Sequence, residues 1–422
     1  MRLIARFCID NYDHFEIITI FDKKIKRKIL NYQNPVIKSI AHKYPAATWF
    51  ERKMRDDFGI TIKNAYDNRP LNQHERFPNI HPMLKSFQDE EITFKKFTPY
   101  PYETIKGDSV FEVAVGPIHA GIIEPGHFQF SQSGEGMLHL EVRHFYKYRG
   151  IEKMVEGKTL HEAKAIIERI SGNESIAYQI AWLKIVLEAT NTKYEETLQK
   201  YHALLLELER LAHHFTDLGF IPNDAGFGAA LAFASKLAED TRRMLESLSG
   251  HRFGFGSVTF SVPSYDRRSV MDFVQKVRKD LLWFENWIND IPSLWDRFDN
   301  TGILPYEDAK RFGCVGVVAK ASGVAQDRRD DAFYKEHSFK IASQKSGDVA
   351  ARFKVRVQEV FTSLELIEAF VYDDYETKTP MDFQDGDYIS FTESSIGELC
   401  MFVRLKKGKI ERFFARDPSF IN

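Results

Sequence analysis

The chain has 422 residues, of which 43% are hydrophobic and 14% aromatic, and its formal net charge is −2. The length predicts two or three domains, and the hydrophobic fraction is sufficient for a large buried core. The near-neutral charge lacks the basic excess of nucleic-acid-binding proteins, so we expect no nucleic-acid partner.

The cysteines and the N-terminal residues bear on the cellular compartment in which the protein is expected. Cys8, Cys314 and Cys400 are far apart, so the sequence contains no C-x-x-C pair and predicts no disulfide framework. Arg2 and Arg6 interrupt the first apolar run, which is unlike a signal peptide. No run of about 18 apolar residues occurs. We expect a cytoplasmic protein whose contact with a membrane runs through partner proteins.

The N-terminal region has the pattern of a small α+β domain. Apolar runs at residues 3–9 and 15–21 flank the turn-forming residues 11–13 and predict two strands. Residues 48–58 predict a helix that ends at Gly59, a favourable residue after a helix C-terminus. Residues 64–84 are polar and predict a loop.

The rest of the chain predicts a mainly helical bundle with β-hairpins. Residues 128–130 and 137–142 flank a Ser/Gly-rich turn and predict a hairpin. Apolar residues recur every three or four positions at 204–218 and 230–248, which places them on helix faces. Further helices are expected at 270–291 and 348–371, and a second hairpin at 399–415. The fold class is therefore α+β, with a helical-bundle second domain.

A series of motifs in chain order resembles the large subunits of energy-converting (membrane-bound) [NiFe]-hydrogenases. The same family includes the 49-kDa-type subunit of respiratory NADH–quinone oxidoreductases. The matching segments are residues 116–128, 149–153, 168–169, 209–213, 224–226, 249–253, 320–329, 347–348 and 393–398.

The N-terminal region resembles a second subunit of those complexes. Residues 51–60 and His81-Pro82 are similar to the small hydrophilic, 30-kDa-type subunit, and the formate hydrogenlyase large subunit carries both units fused. The resemblance implies a 30-kDa-type domain at 1–95 and a large-subunit domain at 96–422. From the resemblance we expect the large-subunit domain to lack its last C-terminal segment, because residues 417–422 resemble a stretch shortly before that segment. A naturally short chain and a truncated product both remain open.

The resemblance also implies where a metal would bind. In the hydrogenases two C-x-x-C pairs hold nickel and iron, but here Ser171 and Glu174 occupy the first pair's positions and Tyr178 replaces a histidine. A hydroxyl and a carboxylate are hard ligands, whereas this centre needs soft thiolates. We therefore expect no metal bound by this chain and no hydrogen chemistry.

Two interpretations of the same segment remain. Ser-x-x-Glu before an apolar run is typical of a capping box, in which Ser171 caps a helix and Glu174 bonds back to it. Alternatively, Glu174 keeps a polar, proton-handling role. The two interpretations predict different effects of substitution at these positions.

The respiratory branch lacks the metal and binds a quinone between a His and a Tyr. Ser171 and Tyr178 resemble that branch, but Arg169 and Ile123 stand where the quinone-contacting Tyr and His are expected. Direct quinone binding therefore does not follow from the sequence.

Other polar residues are candidates for the site. Glu124 matches a glutamate to which the family assigns proton transfer, with a salt-bridged structural role as the alternative. Arg169 is retained from the metal-binding motif. His119 follows Gly116-Pro117 and is either a site residue or a structural one. Glu209 and His213 lie four apart on one helix face, a spacing for metal ligands or for hydrogen bonds in the core.

The resemblance implies an oxidoreductase subunit in the peripheral arm of a membrane-bound complex of the NADH–quinone oxidoreductase or hydrogenase kind. It would receive electrons from an iron–sulfur cluster in a partner small subunit and contact antiporter-like membrane subunits, on the inner face of the cell membrane. The alternative is a non-catalytic structural subunit of such a complex. A third hypothesis is a truncated hydrogenase-4 or formate-hydrogenlyase-type large subunit.

Overall fold

The computed structural model describes residues 1–73, 75–78, 80–88, 93–118, 124–370, 372 and 375–422. By its internal contacts the chain divides into two compact units, Met1–Lys153 and Met154–Asn422. The domain boundary near residue 95 stays a prediction. Among the described residues, no helix combines the length and the apolar character needed to cross a bilayer.

The first unit contains small sheets and a central helix. Its elements are β1 (Leu3–Asp10), β2 (His14–Phe21), β3 (Ile25–Asn31), β4 (Val36–Lys38), α1 (Ala47–Phe58), β5 (Thr61–Lys63), β6 (Phe111–Val115), β7 (His127–Ser133) and β8 (Gly136–Arg143). Strands β1–β2–β3 and β6–β7–β8 form antiparallel sheets, while β4 and β5 pair in parallel. Helix α2 (Ile151–Val155) spans the junction of the two units.

Helix α1 shows how the sequence pattern forms the core of this unit. Met54 and Phe58, one turn apart, pack with Phe15 and Ile17 of β2 in one buried cluster. The helix ends at Gly59 as predicted, because the backbone there adopts a φ of +72°. A Cβ at this position would also lie 2.8 Å from Nε2 of His81, so both conformation and space favour glycine.

The second unit begins with helices. They are α3 (Leu160–Ile167), α4 (Ser175–Ala189), α5 (Glu196–Asp224), α6 (Gly228–Ser249), α7 (Arg267–Asn289), α8 (Pro292–Phe298), α9 (Tyr306–Phe312), α10 (Gly316–Ala321), α11 (Ala332–Glu336) and α12 (Val349–Ala369). The strands are β9 (Ser261–Val262), β10 (Tyr375–Glu376), β11 (Gly386–Glu393), β12 (Glu398–Lys406) and β13 (Lys409–Arg416). A short 3₁₀ turn, Pro418–Phe420, follows.

The predicted stripes form the bundle core. Leu204, Leu208, Leu211 and Phe215 of α5 are buried, and α5 packs along α6 and α12. Helix α4 is buried on nearly every side because it lies against α5, β11 and β12. The predicted fold class, α+β with a mainly helical second domain, is confirmed.

The C-terminal sheet differs from the sequence prediction. The predicted hairpin is present as β12 and β13, but β11 adds a third strand. The buried positions of β11 include Ser390 and Thr392, so its inward face does not show the apolar alternation that signals a strand. Strand β11 ends at Glu393, close in sequence to the polar side chains described next.

Candidate active site

Helix α4 begins at Ser175, directly after Glu174, and this start differs from the predicted one. The capping-box prediction is wrong: the side chain of Glu174 makes no capping hydrogen bond, and Ser171 lies four residues before the helix. Residues 171–174 form a turn instead, in which the amide of Glu174 donates to the carbonyl of Ser171 over 3.3 Å. The first amides of α4 therefore need another acceptor.

Glu209 of α5 supplies that acceptor. Its Oε2 accepts from the amide of Ile176 over 2.7 Å, and its Oε1 accepts from the amide of Ala177 over 3.1 Å. A carboxylate is favoured here by the unpaired amides and by the positive end of the helix dipole. Burial nevertheless raises the pKa of Glu209 to about 8, against the lowering effect of the two amides and Arg210.

Glu174 is a fully buried carboxyl group whose oxygens accept no hydrogen bond from a donor in the described part of the chain. Its side chain lies beside the carboxyl of Asp417 and beside Ser394. Burial, together with the negative charges of Asp417 and Glu209, raises the pKa of Glu174 well above its ordinary value. A buried carboxyl in such surroundings takes up a proton instead of remaining charged.

Tyr178 lies one turn further along α4 and links the helix to the C-terminal residues. Its hydroxyl donates to Oδ2 of Asp417 over 2.8 Å. Burial and the nearby Asp417 and Glu174 raise the pKa of Tyr178 well above its ordinary value. We call Glu174, Tyr178, Glu209 and Asp417 the α4-start cluster, which is acidic; its first three members are buried and Asp417 is partly exposed. Sequence reasoning missed Asp417, for which an Asp-Pro-Ser turn directly after β13 was the available signal.

Arg169 has a different setting. It bonds to Glu168 and to the carbonyl of Ala165, and its guanidinium stacks 4.5 Å from the ring centre of Phe255. Half of its side chain is exposed. Glu168 in turn accepts from the amide of Gly256 over 2.7 Å. The structure thus places Arg169 beside the loop that follows α6.

The remaining candidates divide between described and undescribed residues. Glu124 belongs to the first unit, where it is exposed and pairs with Lys147 over 3.2 Å, as its salt-bridged alternative requires. His119 and Ile123 lie outside the described residues. The roles of Glu124 and His119 in a site stay predictions.

Glu209 and His213 do not converge on one atom. While Glu209 bonds to α4, Nδ1 of His213 lies 2.6 Å from Oγ of Ser395, in the loop between β11 and β12. Burial lowers the pKa of His213. Both residues therefore make hydrogen bonds to other parts of the second unit. This agrees with the interpretation of their spacing as hydrogen-bonding residues of the core and not as metal ligands.

A larger buried ion network lies on the other side of α5. Nζ of Lys320 lies 2.5 Å from Oδ2 of Asp327 and 2.7 Å from Oε1 of Glu359. Glu359 also pairs with Arg210 and accepts from His214. We call the following set the ion network: Glu207, Arg210, Lys320, Asp327, Arg329, Glu359 and Glu393.

The ion network holds three cations and four carboxyl groups, and the pKa of one of these carboxyl groups, Glu393, is raised. Burial and Asp327 raise the pKa of Glu393 to about 7, whereas Lys320 and Arg210 hold the pKa of Glu359 well below its ordinary value despite its burial. Neighbouring residues of α5 connect this network to the α4-start cluster. Glu209 faces α4, and Arg210 bonds to Glu359 and to the carbonyl of Ser394.

Comparisons with known families match both halves of the chain. Residues 2–92 match the family described as the 30-kDa subunit of respiratory-chain NADH dehydrogenase. Residues 224–381 match the family described as the 49-kDa subunit of that enzyme.

Curated relatives extend the match. Formate hydrogenlyase subunit 5 of Escherichia coli is 29% identical over 79% of this chain, and the match covers 61% of the relative. The C/D subunit of NADH-quinone oxidoreductase from Phocaeicola vulgatus is 24% identical over 91% of this chain and 80% of the relative. The chain spans about three fifths of the length of the E. coli hydrogenase relatives that it matches.

A solved structure shares the fold. A chain from the membrane-bound sulfane sulfur reductase, an archaeal respiratory membrane complex, superposes with a TM-score of 0.68 at 23% identity. The superposition covers 76% of this chain and 90% of the other. At this identity the likeness is one of fold.

Proposed function

The chain belongs to the family of NADH–quinone oxidoreductase and membrane-bound hydrogenase large subunits, with a 30-kDa-type domain preceding a 49-kDa-type domain, and from this premise we propose its role in a complex. It is an oxidoreductase subunit that receives electrons from an iron–sulfur cluster in a partner subunit. Glu174 holds a proton where the hydrogenases of this family place a metal-binding cysteine.

The observation that carries this proposal is the burial of the Glu174 carboxyl beside the carboxyl of Asp417, with no cation bonded to it in the described part of the chain. A fully buried carboxyl without a cationic partner lowers stability unless it is protonated. Tyr178 and Asp417 add a hydroxyl and a second carboxyl within the same cluster. Proton-binding groups whose pKa values are shifted by burial and by neighbouring charges are typical of catalytic sites.

The donor chemistry of the segment does not fit a nickel–iron centre. Ser171 and Glu174 provide hydroxyl and carboxyl oxygens, whereas that centre is held by bridging thiolates. We propose that this chain binds no such centre. The residues of this chain contribute proton transfer: Glu174 binds and releases a proton. Electrons from the partner subunit reduce an acceptor nearby.

The proposed complex has an iron–sulfur small subunit and antiporter-like membrane subunits, with this chain on the inner face of the cell membrane. Support comes from the relatives, whose names denote subunits of such assemblies, and from apolar side chains exposed on the first unit. Met137 and Leu138, near the turn between β7 and β8, are each about half exposed. Exposed apolar patches mark sites of protein association.

The test uses the complex purified from its native host through a tag on this chain. Glu174→Gln should reduce electron transfer from the complex's donor to an acceptor by about 10²–10⁴-fold, because an amide cannot carry a proton. Its melting temperature should remain that of the wild type. Glu188→Gln is the matched control, since Glu188 is an exposed glutamate on the same helix. Full turnover in Glu174→Gln would reject the role of Glu174.

Elemental analysis of the same preparation tests the metal proposal separately. We expect iron from the partner subunit and far less than one nickel per copy of this chain. About one nickel per chain would show that this chain takes part in a metal centre despite its oxygen donors.

A structural subunit is the second candidate, and the ion network favours it. Its charges are largely paired and buried, which suits a role in holding α5, α10 and α12 together. On this hypothesis Glu174→Gln leaves turnover unchanged, while deletion of the chain prevents the other subunits from assembling. The two measurements therefore distinguish the candidates.

A further inference from the structure

One histidine and two glutamates of the first unit form a separate cluster beside the β6–β7–β8 sheet. They are Glu103, His139 and Glu141, and their potential ligand atoms all lie within 4.8 Å of one another. We infer that this cluster binds a divalent transition-metal ion of the Zn²⁺ type. The inference is independent of the function proposed for Glu174.

The sheet brings two of the ligands to one face. His139 and Glu141 are two residues apart in β8, so their side chains project from the same side of the strand. The extended segment before β6 crosses that side, where the amide of Glu103 donates to Oε2 of Glu141 over 3.4 Å. Ligands from two separate stretches of chain therefore meet at one place.

The strongest sign of a missing ligand is Nε2 of His139. A third of the His139 side chain is exposed, but this nitrogen is shielded from solvent and has no hydrogen-bond partner among the residues that the structure describes. It is unsatisfied in either tautomer, because a protonated Nε2 needs an acceptor and an unprotonated one needs a donor. Buried polar atoms without partners are rare and call for an explanation.

The spacing of the ligand atoms suits a bridging ion. Nε2 of His139 lies 3.9 Å from Oε2 of Glu141, which is too long for a hydrogen bond. Two ligand atoms that are each about 2.0–2.2 Å from a tetrahedral zinc lie about 3.4 Å apart. If the distance between these two atoms shortened by about half an ångström, both could bind one ion.

The surroundings provide support for the ligands. Oε1 of Glu141 accepts from Nη1 of Arg69 over 2.9 Å, which leaves Oε2 directed towards His139. Arg69 also bonds to Asp67 over 2.9 Å, and Asp67 in turn pairs with Arg52 over 3.0 Å. Metal-binding carboxylates commonly have such a hydrogen-bonded outer partner.

The donor types select the class of ion. Two carboxylates neutralise a dication, and an imidazole nitrogen favours zinc and similar transition metals over calcium or magnesium, which prefer oxygen. Glu103 is exposed, so water has access to the remaining coordination position. Nothing in the cluster supplies a thiolate.

The test measures Zn²⁺ binding by the full chain after treatment with a chelator, using titration calorimetry. The wild type should bind one Zn²⁺ at this cluster, and His139→Gln and Glu103→Gln should each weaken the affinity at least about tenfold. His161→Gln, which removes an exposed histidine of the second unit, should leave the affinity unchanged. Co²⁺ in place of Zn²⁺ should give visible absorption bands that His139→Gln abolishes.

Glu103→Gln protects the test against misfolding, because an exposed side chain in an extended segment contributes little to stability. Its melting temperature should therefore equal that of the wild type. Stoichiometric binding that is weakened in both cluster variants supports the site. The inference is overturned if the wild type binds no stoichiometric zinc, or if all four proteins bind it equally.

Discussion

Two largely buried polar clusters of the second unit share helix α5. They differ in which groups surround their carboxyl groups. In the ion network, Lys320 lies within 3.6 Å of three carboxyl groups. Arg210 pairs with Glu359 and Glu207, and Arg329 pairs with Asp327 and Glu207. In the α4-start cluster, carboxyl groups face a tyrosine hydroxyl and backbone amides. The ion network can therefore keep its charges except at Glu393, whereas Glu174 and Glu209 of the α4-start cluster keep protons.

The pKa shifts express this difference. Lys320 and Arg210 hold the pKa of Glu359 well below its ordinary value although burial acts in the opposite direction. Burial and the neighbouring carboxyl of Asp417 raise the pKa of Glu174, and no cation in the described part of the chain bonds to its carboxyl oxygens. Buried carboxyls thus divide by their partners into a structural class and a class suited to proton exchange.

The largest expected effect is the loss of a cation from the ion network. Lys320→Met leaves Asp327, Glu359 and Glu393 without their shared ammonium group. Removal of one partner from a buried ion pair lowers stability by about 3–5 kcal/mol. The free energy of unfolding in urea measures it. Lys236→Met, at an exposed pair with Asp240, is the control and should change stability by at most about 0.5 kcal/mol. Equal stability of both variants would show that the ion network is not structural.

The second effect tests which residue caps α4. Glu209→Ala removes the acceptor of two buried amides, at a cost of about 1–3 kcal/mol for each. Ser171→Ala should cost less than about 0.5 kcal/mol, since Ser171 lies outside the helix start. Thermal melting of both variants compares them directly. A larger loss in Ser171→Ala than in Glu209→Ala would restore the capping box.

The third effect is a dependence of stability on pH. Glu209 and Glu393 have folded-state pKa values of about 8 and about 7, above that of an unfolded glutamate. Their stabilising contribution is fully present below the unfolded pKa and is lost as the pH rises through the folded values. Burial lowers the pKa of His214 to about 4. The lowered pKa makes stability increase with pH, but only up to the unfolded pKa of about 6.5. The effect of the glutamates is therefore separable above pH 6.5.

Between about pH 6.5 and 8 the wild type should lose stability as the pH rises, through Glu209, Glu393 and Glu174, whose folded-state pKa values are all raised. Glu209→Gln should lose about 1–2 kcal/mol less than the wild type over the same range, because its amide does not titrate. Urea unfolding at several pH values provides the measurement. Parallel pH profiles for the two proteins would mean that Glu209 is already ionised in the folded state.

The smallest effect concerns the link between α4 and the C-terminal turn. Tyr178→Phe removes the hydroxyl that donates to Asp417, and the loss of one hydrogen bond costs about 1 kcal/mol. Tyr201→Phe is a matched control, because it removes a buried hydroxyl that donates to the carbonyl of Leu248. If Tyr178 only supports the fold, both variants lower the melting temperature alike and leave turnover unchanged. A selective loss of turnover in Tyr178→Phe would assign the hydroxyl to the proton-exchanging class.

The longest helices and the hairpins of the fold followed from local pattern, whereas the shorter elements did not and the site followed only in part. The helix that ends at Gly59 and the helix that ends at Gly250 were predictable because periodic apolar residues and a following glycine specify both. Glu174 and Tyr178 were named from the sequence, but Asp417 was not. The partner of Tyr178 lies 239 residues away along the chain, beyond any local signal.

The sequence by itself determined the class of the fold, the positions of the longest helices and the oxygen-donor character of residues 171 and 174. These depend on residue type and on spacings within a few turns. Only the tertiary structure decided that Glu209, and not Ser171, accepts hydrogen bonds from the first amides of α4, since that contact joins residues 33 positions apart. It also decided which buried carboxyls are paired. The pKa of a carboxyl depends on the burial and charge around it, and these exist only after the helices have packed.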